Sequence, residues 1–116
     1  MIPDELYGEL LAAVANVGAD ITDDCEQFLS ELRTEFAGTD EDFLKHVQKN
    51  VGRWFRVITS YPQWVQNAEW QFHEGRPMVF AGEITIPKDA GLFHDDAYIF
   101  VFLSERGVIK NVIQIA

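Results

Sequence analysis

The chain has 116 residues, enough for one domain with a real core, and its 47% hydrophobic and 13% aromatic content is that of a folded globule. Nine Lys and Arg against nineteen Asp and Glu give a net charge of −10, which repels nucleic acid and anionic membrane and steers a basic protein partner inward. A single cysteine, Cys25, excludes an internal disulfide and a zinc site made of thiolates alone.

The acidity is lopsided. Residues 1–50 carry twelve acids and three bases, a net −9, whereas residues 51–116 carry seven acids and six bases, a net −1. The opening MIPDELYGEL has neither a basic n-region nor an apolar h-region, and no apolar run nears the ~18 residues of a membrane span. Cytoplasmic residence is the expectation.

Residues 4–17 read as a helix. Pro3 and Asp4 suit its start, Leu6, Leu10, Val14 and Val17 fall on one face, and Gly18 can take a left-handed C-terminal conformation. A second helix spans residues 23–37, capped by Thr22 or Asp23, with Glu26 as a capping-box partner of Asp23. Its apolar stripe is Cys25, Phe28, Leu29, Leu32 and Phe36, and Gly38 ends it. The first two helices are expected to pair as an antiparallel hairpin.

A third helix opens at Thr39–Asp40, with Asp42 in the capping position. Phe43, Leu44, Val47, Val51, Trp54, Phe55 and Ile58 keep helical spacing to Ser60. The competing reading ends this helix at Gly52 and makes residues 54–59 a strand, since Trp, Phe, Val, Ile and Thr favour one.

Beyond Tyr61–Pro62 the pattern turns to β. Residues 78–86 read as a half-buried strand with Met78, Phe80, Gly82, Ile84 and Ile86 on one side, followed by a polar loop over residues 88–96. Residues 97–103 and 108–115 read as a hairpin closed by Ser104-Glu105-Arg106-Gly107, with Gly107 at a positive-φ position. The run AYIFVFL is so apolar that it is expected to be covered on both faces. The fold class expected is α+β: one domain over residues 1–116, with N-terminal helices (1–60) packed on a C-terminal, mainly antiparallel β-sheet (61–116).

The second half carries a pattern that resembles the YwqG-like family of mostly uncharacterised bacterial proteins. Pro62, Trp64, Val65, Gln66 and Glu69 stand as P-x-W-[IV]-Q-x-x-E, and Gly75, Pro77, Met78, Phe80 and Ile84 as G-x-P-M-x-F-x-x-Q-I. Tyr98, Phe100, Phe102 and Val112-Ile113-Gln114 are similar to its later aromatic strand. Two features depart from the pattern: Glu83 replaces the Gln before the Ile, and the cysteine pairs of some members are missing, so no metal role carries over. Relatives of this type occur beside bacterial toxin genes as presumed immunity proteins. The resemblance by itself fixes no activity.

No catalytic motif stands out, and no cofactor is expected. His46, His73 and His94 lie on different elements, and His94-Asp95-Asp96 could ligate a cation but reads more simply as a solvated loop. Glu69 and Glu83 could act as an acid–base pair, or Glu69 could accept backbone or tryptophan hydrogen bonds beside Trp64 and Trp70. Cys25 reads as a buried structural cysteine, its thiolate opposed by Asp23, Asp24 and Glu26. Trp64, Trp70 and Phe72 are either core or an exposed aromatic patch of the kind that anchors interfaces.

Two functional expectations result. In the first, Asp20, Asp23, Asp24, Glu31 and Glu35 attract a basic, nuclease-like toxin, with Trp64 or Trp70 as the apolar anchor. In the second, a pocket around Trp64, Glu69, Trp70 and His73 binds a ligand or peptide.

Overall fold

A computed structural model describes residues 2–116. Three helices, α1 (Asp4–Ala15), α2 (Asp23–Glu35) and α3 (Asp40–Trp54), precede a two-stranded ribbon and a three-stranded antiparallel sheet. The ribbon pairs β1 (Phe72–His73) with β2 (Arg76–Pro77), and the sheet runs in the order β3 (Val79–Ile86), β4 (Ala97–Leu103), β5 (Ile109–Ile115). This is the expected α+β arrangement of N-terminal helices and a C-terminal antiparallel sheet.

The helices start and stop for local reasons. Thr22, not Asp23, caps α2 by accepting the Cys25 amide at 3.3 Å. Thr39 and Asp42 form a reciprocal capping box on α3. Gly18 takes φ +80°, and the turn after α1 closes there. Leu6, Leu10, Val14 and Val17 are all buried, as their spacing predicts. The expected α1–α2 hairpin is not the main helical contact, because α1 lies closest to α3.

Around Gly52 neither reading is right. Helix α3 continues two residues past the glycine to Trp54, and then the chain extends. Phe80 donates its amide to the Arg56 carbonyl (2.9 Å), and Ile58 donates to the Phe80 carbonyl (3.0 Å), making a single parallel bridge of Val57 to Phe80. Phe55 stays fully buried, but Ile58 is exposed, so the apolar stripe ends before it.

That bridge coincides with a slip in the sheet. The β3–β4 register shifts between Phe80 and Gly82, and everything beyond it on β3 changes face. Ile84, expected beside Met78 and Phe80, points away from the core and is exposed. On the inner face Phe80 pairs with Phe102, Glu83 with Phe100, and Phe100 in turn with Val112. On the outer face Ile84, Ile99 and Ile113 lie in one row, with Ile84 and Ile113 exposed. Strand β4 is central, as its composition leads one to expect; its inner-face Phe100 and Phe102 are buried, and Ile99, Val101 and Leu103 on the outer face are half-buried.

The helices pack on the sheet through an intervening aromatic layer. The molecule is elongated, 54 × 30 × 22 Å, with a radius of gyration of 15.7 Å, above the ~13 Å typical of a compact chain of 100 residues. What covers the inner face is the irregular stretch 61–71: Trp64 packs on Phe100 and Phe102, and Trp70 on Phe80 and Phe102. Helical residues join that layer from the other side through Phe55 against Trp70 (5.2 Å) and Phe28 against Phe72 (6.2 Å). One cluster of buried residues thus runs from Ile2 to Val112.

The two sheet faces should respond differently to truncation. Phe100→Ala is expected to cost about 3–5 kcal/mol, whereas Ile113→Thr should change stability by less than about 1 kcal/mol. Urea midpoints of both variants measure this directly.

Candidate functional site

The residues expected to form one aromatic pocket do not converge. Trp70 is 3% exposed and donates its indole N–H to the Met78 carbonyl at 2.9 Å. Trp64 is half-buried and donates to the Gly18 carbonyl at 2.6 Å, tying the sheet cover to the turn after α1. Trp70 is core and Trp64 packs half-buried against it with its N–H engaged, so neither is a freely exposed anchor. A tryptophan whose N–H and ring are both engaged inside has nothing left to offer a partner.

Glu69 belongs to a polar clamp built on Gln114, the only buried polar side chain among the described residues. Gln114 Oε1 accepts the amides of Val65 and Gln66, both at 3.0 Å, while its Nε2 donates to the Asn67 carbonyl (2.7 Å) and Glu69 Oε2 (3.1 Å). Its hydrogen-bonding capacity is thereby filled. Glu69 was expected to accept from backbone or tryptophan; its partner is a side-chain amide from the last strand. Glu83 Oε1 accepts the Gln63 amide at 3.0 Å, so each glutamate holds an end of the same irregular stretch. Neither lines a cleft.

The other titratable groups have plain surroundings. His46 stacks at 5.0 Å on Phe36 and meets Asn50, inside the helical half. Asp95 and Asp96 beside His94 spend carboxylate oxygens on the Asp96 and Lys88 amides. Among the described residues no three His, Cys, Asp or Glu side chains gather into a group that could hold a metal. Cys25 is fully buried, and burial first, then Asp20 and Asp24, pushes its thiol from an ordinary 9.0 up to about 12.

Asp20, Asp23, Asp24, Glu31 and Glu35 are all solvent-exposed. Asp20 lies in the link before α2 and the other four on α2 itself. Asp20 accepts the Ile21 amide, and Glu31 meets Gln27 at 3.5 Å, but none of the five is in an ion pair among the described residues.

A substantial concavity lies elsewhere. A cleft of about 580 Å³ opens between the end of α3, the β1–β2 ribbon and the β4–β5 turn, and of the pocket residues expected from sequence it includes only His73. Arg53, Arg56, Arg76 and Arg106 line it, over an apolar wall that includes Phe28, Trp54 and Met78. The ribbon itself went unforeseen. Its turn, Glu74-Gly75, has positive φ at both residues (51° and 76°), the geometry of a tight two-residue hairpin. Glu-Gly is a weak form of the Asp-Gly hairpin signature, and that was the available clue. The arginines carried no local pattern, because they come from three separate parts of the chain: Arg53 and Arg56 from the end of α3 and just past it, Arg76 from the ribbon and Arg106 from the β4–β5 turn.

Comparison with known proteins adds no relative: no family model, curated protein or solved structure matches the chain.

Two outcomes test this geometry. Gln114→Leu, which keeps the volume but orphans two amides and a carbonyl, should destabilise the fold by about 3–5 kcal/mol in urea titrations. Cys25 should resist thiol reagents in the native state and react on unfolding. Because its folded pKa is raised, its contribution is intact below pH 9.0 and is lost as pH climbs from there towards about 12; a denaturation series across that window measures the decline.

Proposed function

We propose that this chain is a non-catalytic capture protein of immunity type, which binds and neutralises a basic, nuclease-like toxin through its acidic helical face. The observation that carries this reading is the state of Asp20, Asp23, Asp24, Glu31 and Glu35: exposed, and without ion-pair partners among the described residues. Most of the net charge of −10 comes from the half of the chain to which these residues belong. Like charges gathered on one surface repel one another and gain only when a cationic surface covers them. The resemblance of the second half to YwqG-like proteins supports the same reading.

With Trp70 in the core and Trp64 half-buried with its N–H engaged, the attraction is electrostatic rather than anchored on an aromatic. Association should therefore be fast, and steeply weakened by salt. Reversing Asp23 and Asp24 to lysine should slow association about tenfold or more and flatten its salt dependence. The check is capture of a basic protein from host lysate at low and high salt, followed by stopped-flow kinetics with both forms of the chain. Equal rates for the two forms would remove this reading.

A second reading, a ligand- or peptide-binding module of unknown cellular role, is favoured by the arginine-lined cleft. The aromatic pocket first expected around Trp64, Glu69 and Trp70 gives way to that cleft, with His73 as the shared residue.

A further inference from the structure

Four of the five arginines in the chain line one cleft, although acids outnumber bases about two to one. With nineteen carboxylates available, only Arg56 takes one there: its Nη2 meets Glu105 Oε1 at 3.0 Å, and both side chains are exposed. Arg53 has only a 3.5 Å contact with Asn50 Oδ1, and Arg53, Arg76 and Arg106 are in no ion pair among the described residues. Arg76 sits directly across the ribbon from His73, so both project from the same side of it. The turn that sets this pair carries a glutamate at φ 51°, a conformation that costs a non-glycine residue of order 1 kcal/mol.

We propose that this cleft binds a small phosphate-bearing organic molecule of nucleoside-diphosphate type. Planar guanidinium forks match phosphate oxygens two at a time, and the four arginines outnumber Glu74 and Glu105 on the cleft wall, a surplus of positive charge that suits a diphosphate. The cleft is too large for a bare phosphate: 580 Å³ lies in the range of sites for organic ligands. Half-buried Trp54 and buried Phe28 and Met78 supply an apolar wall for an aromatic body. Glu105 neutralises Arg56 in the free protein and competes with the ligand for it. This deepens the ligand-binding reading and is independent of the acidic face.

Isothermal titration calorimetry of the whole chain with adenosine diphosphate, pyrophosphate, adenosine and a tetraglutamate peptide tests it. Adenosine diphosphate should bind most tightly, pyrophosphate more weakly and adenosine weakest. The double change Arg53→Gln, Arg76→Gln should weaken adenosine diphosphate at least about tenfold. Arg33→Gln, at the one arginine outside the cleft, should leave it unchanged, and Glu105→Gln should tighten it severalfold by freeing Arg56. Circular dichroism confirms that each variant is folded. Absence of adenosine diphosphate binding below the millimolar range overturns the inference, as does adenosine binding as tightly as its diphosphate, or equal affinity of the double variant and the parent. Binding of tetraglutamate alone also overturns it, while leaving a peptide-binding cleft in place.

Discussion

The four hydrogen bonds of Gln114 hold together a part of the molecule that has no regular structure of its own. Residues 61–71 contain neither helix nor strand, yet they form the layer between the helical half and the sheet. A chain laid across a core must satisfy its amides and carbonyls somehow, and without a ladder it depends on side chains. Gln114 serves three consecutive residues from Val65 to Asn67, Glu83 serves Gln63, and Gln66 Nε2 closes back onto the Ile115 carbonyl at 2.8 Å. The same stretch delivers Trp64 and Trp70 to the inner face of the sheet. The polar clamp and the aromatic layer are one device: the first sets the path of the backbone, and the second fills the space beneath it.

This arrangement explains the division of surfaces. The sheet has its inner face covered by tryptophans rather than by helices, so the helical half extends the molecule lengthwise. Helix α2 can then keep its acidic side in water, and the cleft forms at the join, where the end of α3 meets the ribbon and the β4–β5 turn. Charge of opposite sign is sorted between the two: among the described residues, Asp23, Asp24, Glu31 and Glu35 of α2 are in no ion pair, and in the cleft three arginines are in none beside the Arg56–Glu105 pair. An acidic exterior also disfavours unspecific anions, whereas in the cleft an anion meets several guanidiniums together.

Helix ends, the β4–β5 hairpin and the α+β order are written in local residue pairs: Thr22 with the Cys25 amide, Thr39 with Asp42, and Ser104 to Gly107 with Gly107 at φ 82°. These depend on neighbours three or four residues apart, so the sequence displays them. The face assignment on β3 is of another kind. Alternation put Ile84 inside, and one register slip beside the Val57–Phe80 bridge turned it outward. A slip of one residue inverts every later side chain, and only the distant segment docking there shows where it falls.

The candidate sites divide along the same line. Sequence alone determined the acidic first half, the absence of a disulfide, the buried state of Cys25 and the two β runs of the final hairpin, because composition and short-range spacing are sufficient for each. Tertiary structure decided that Trp70 is core with Trp64 packed against it, that Glu69 answers to Gln114, and that four arginines share a cleft. Those residues lie up to about fifty positions apart, and the chain geometry that unites them is set by long-range packing, which no local pattern encodes.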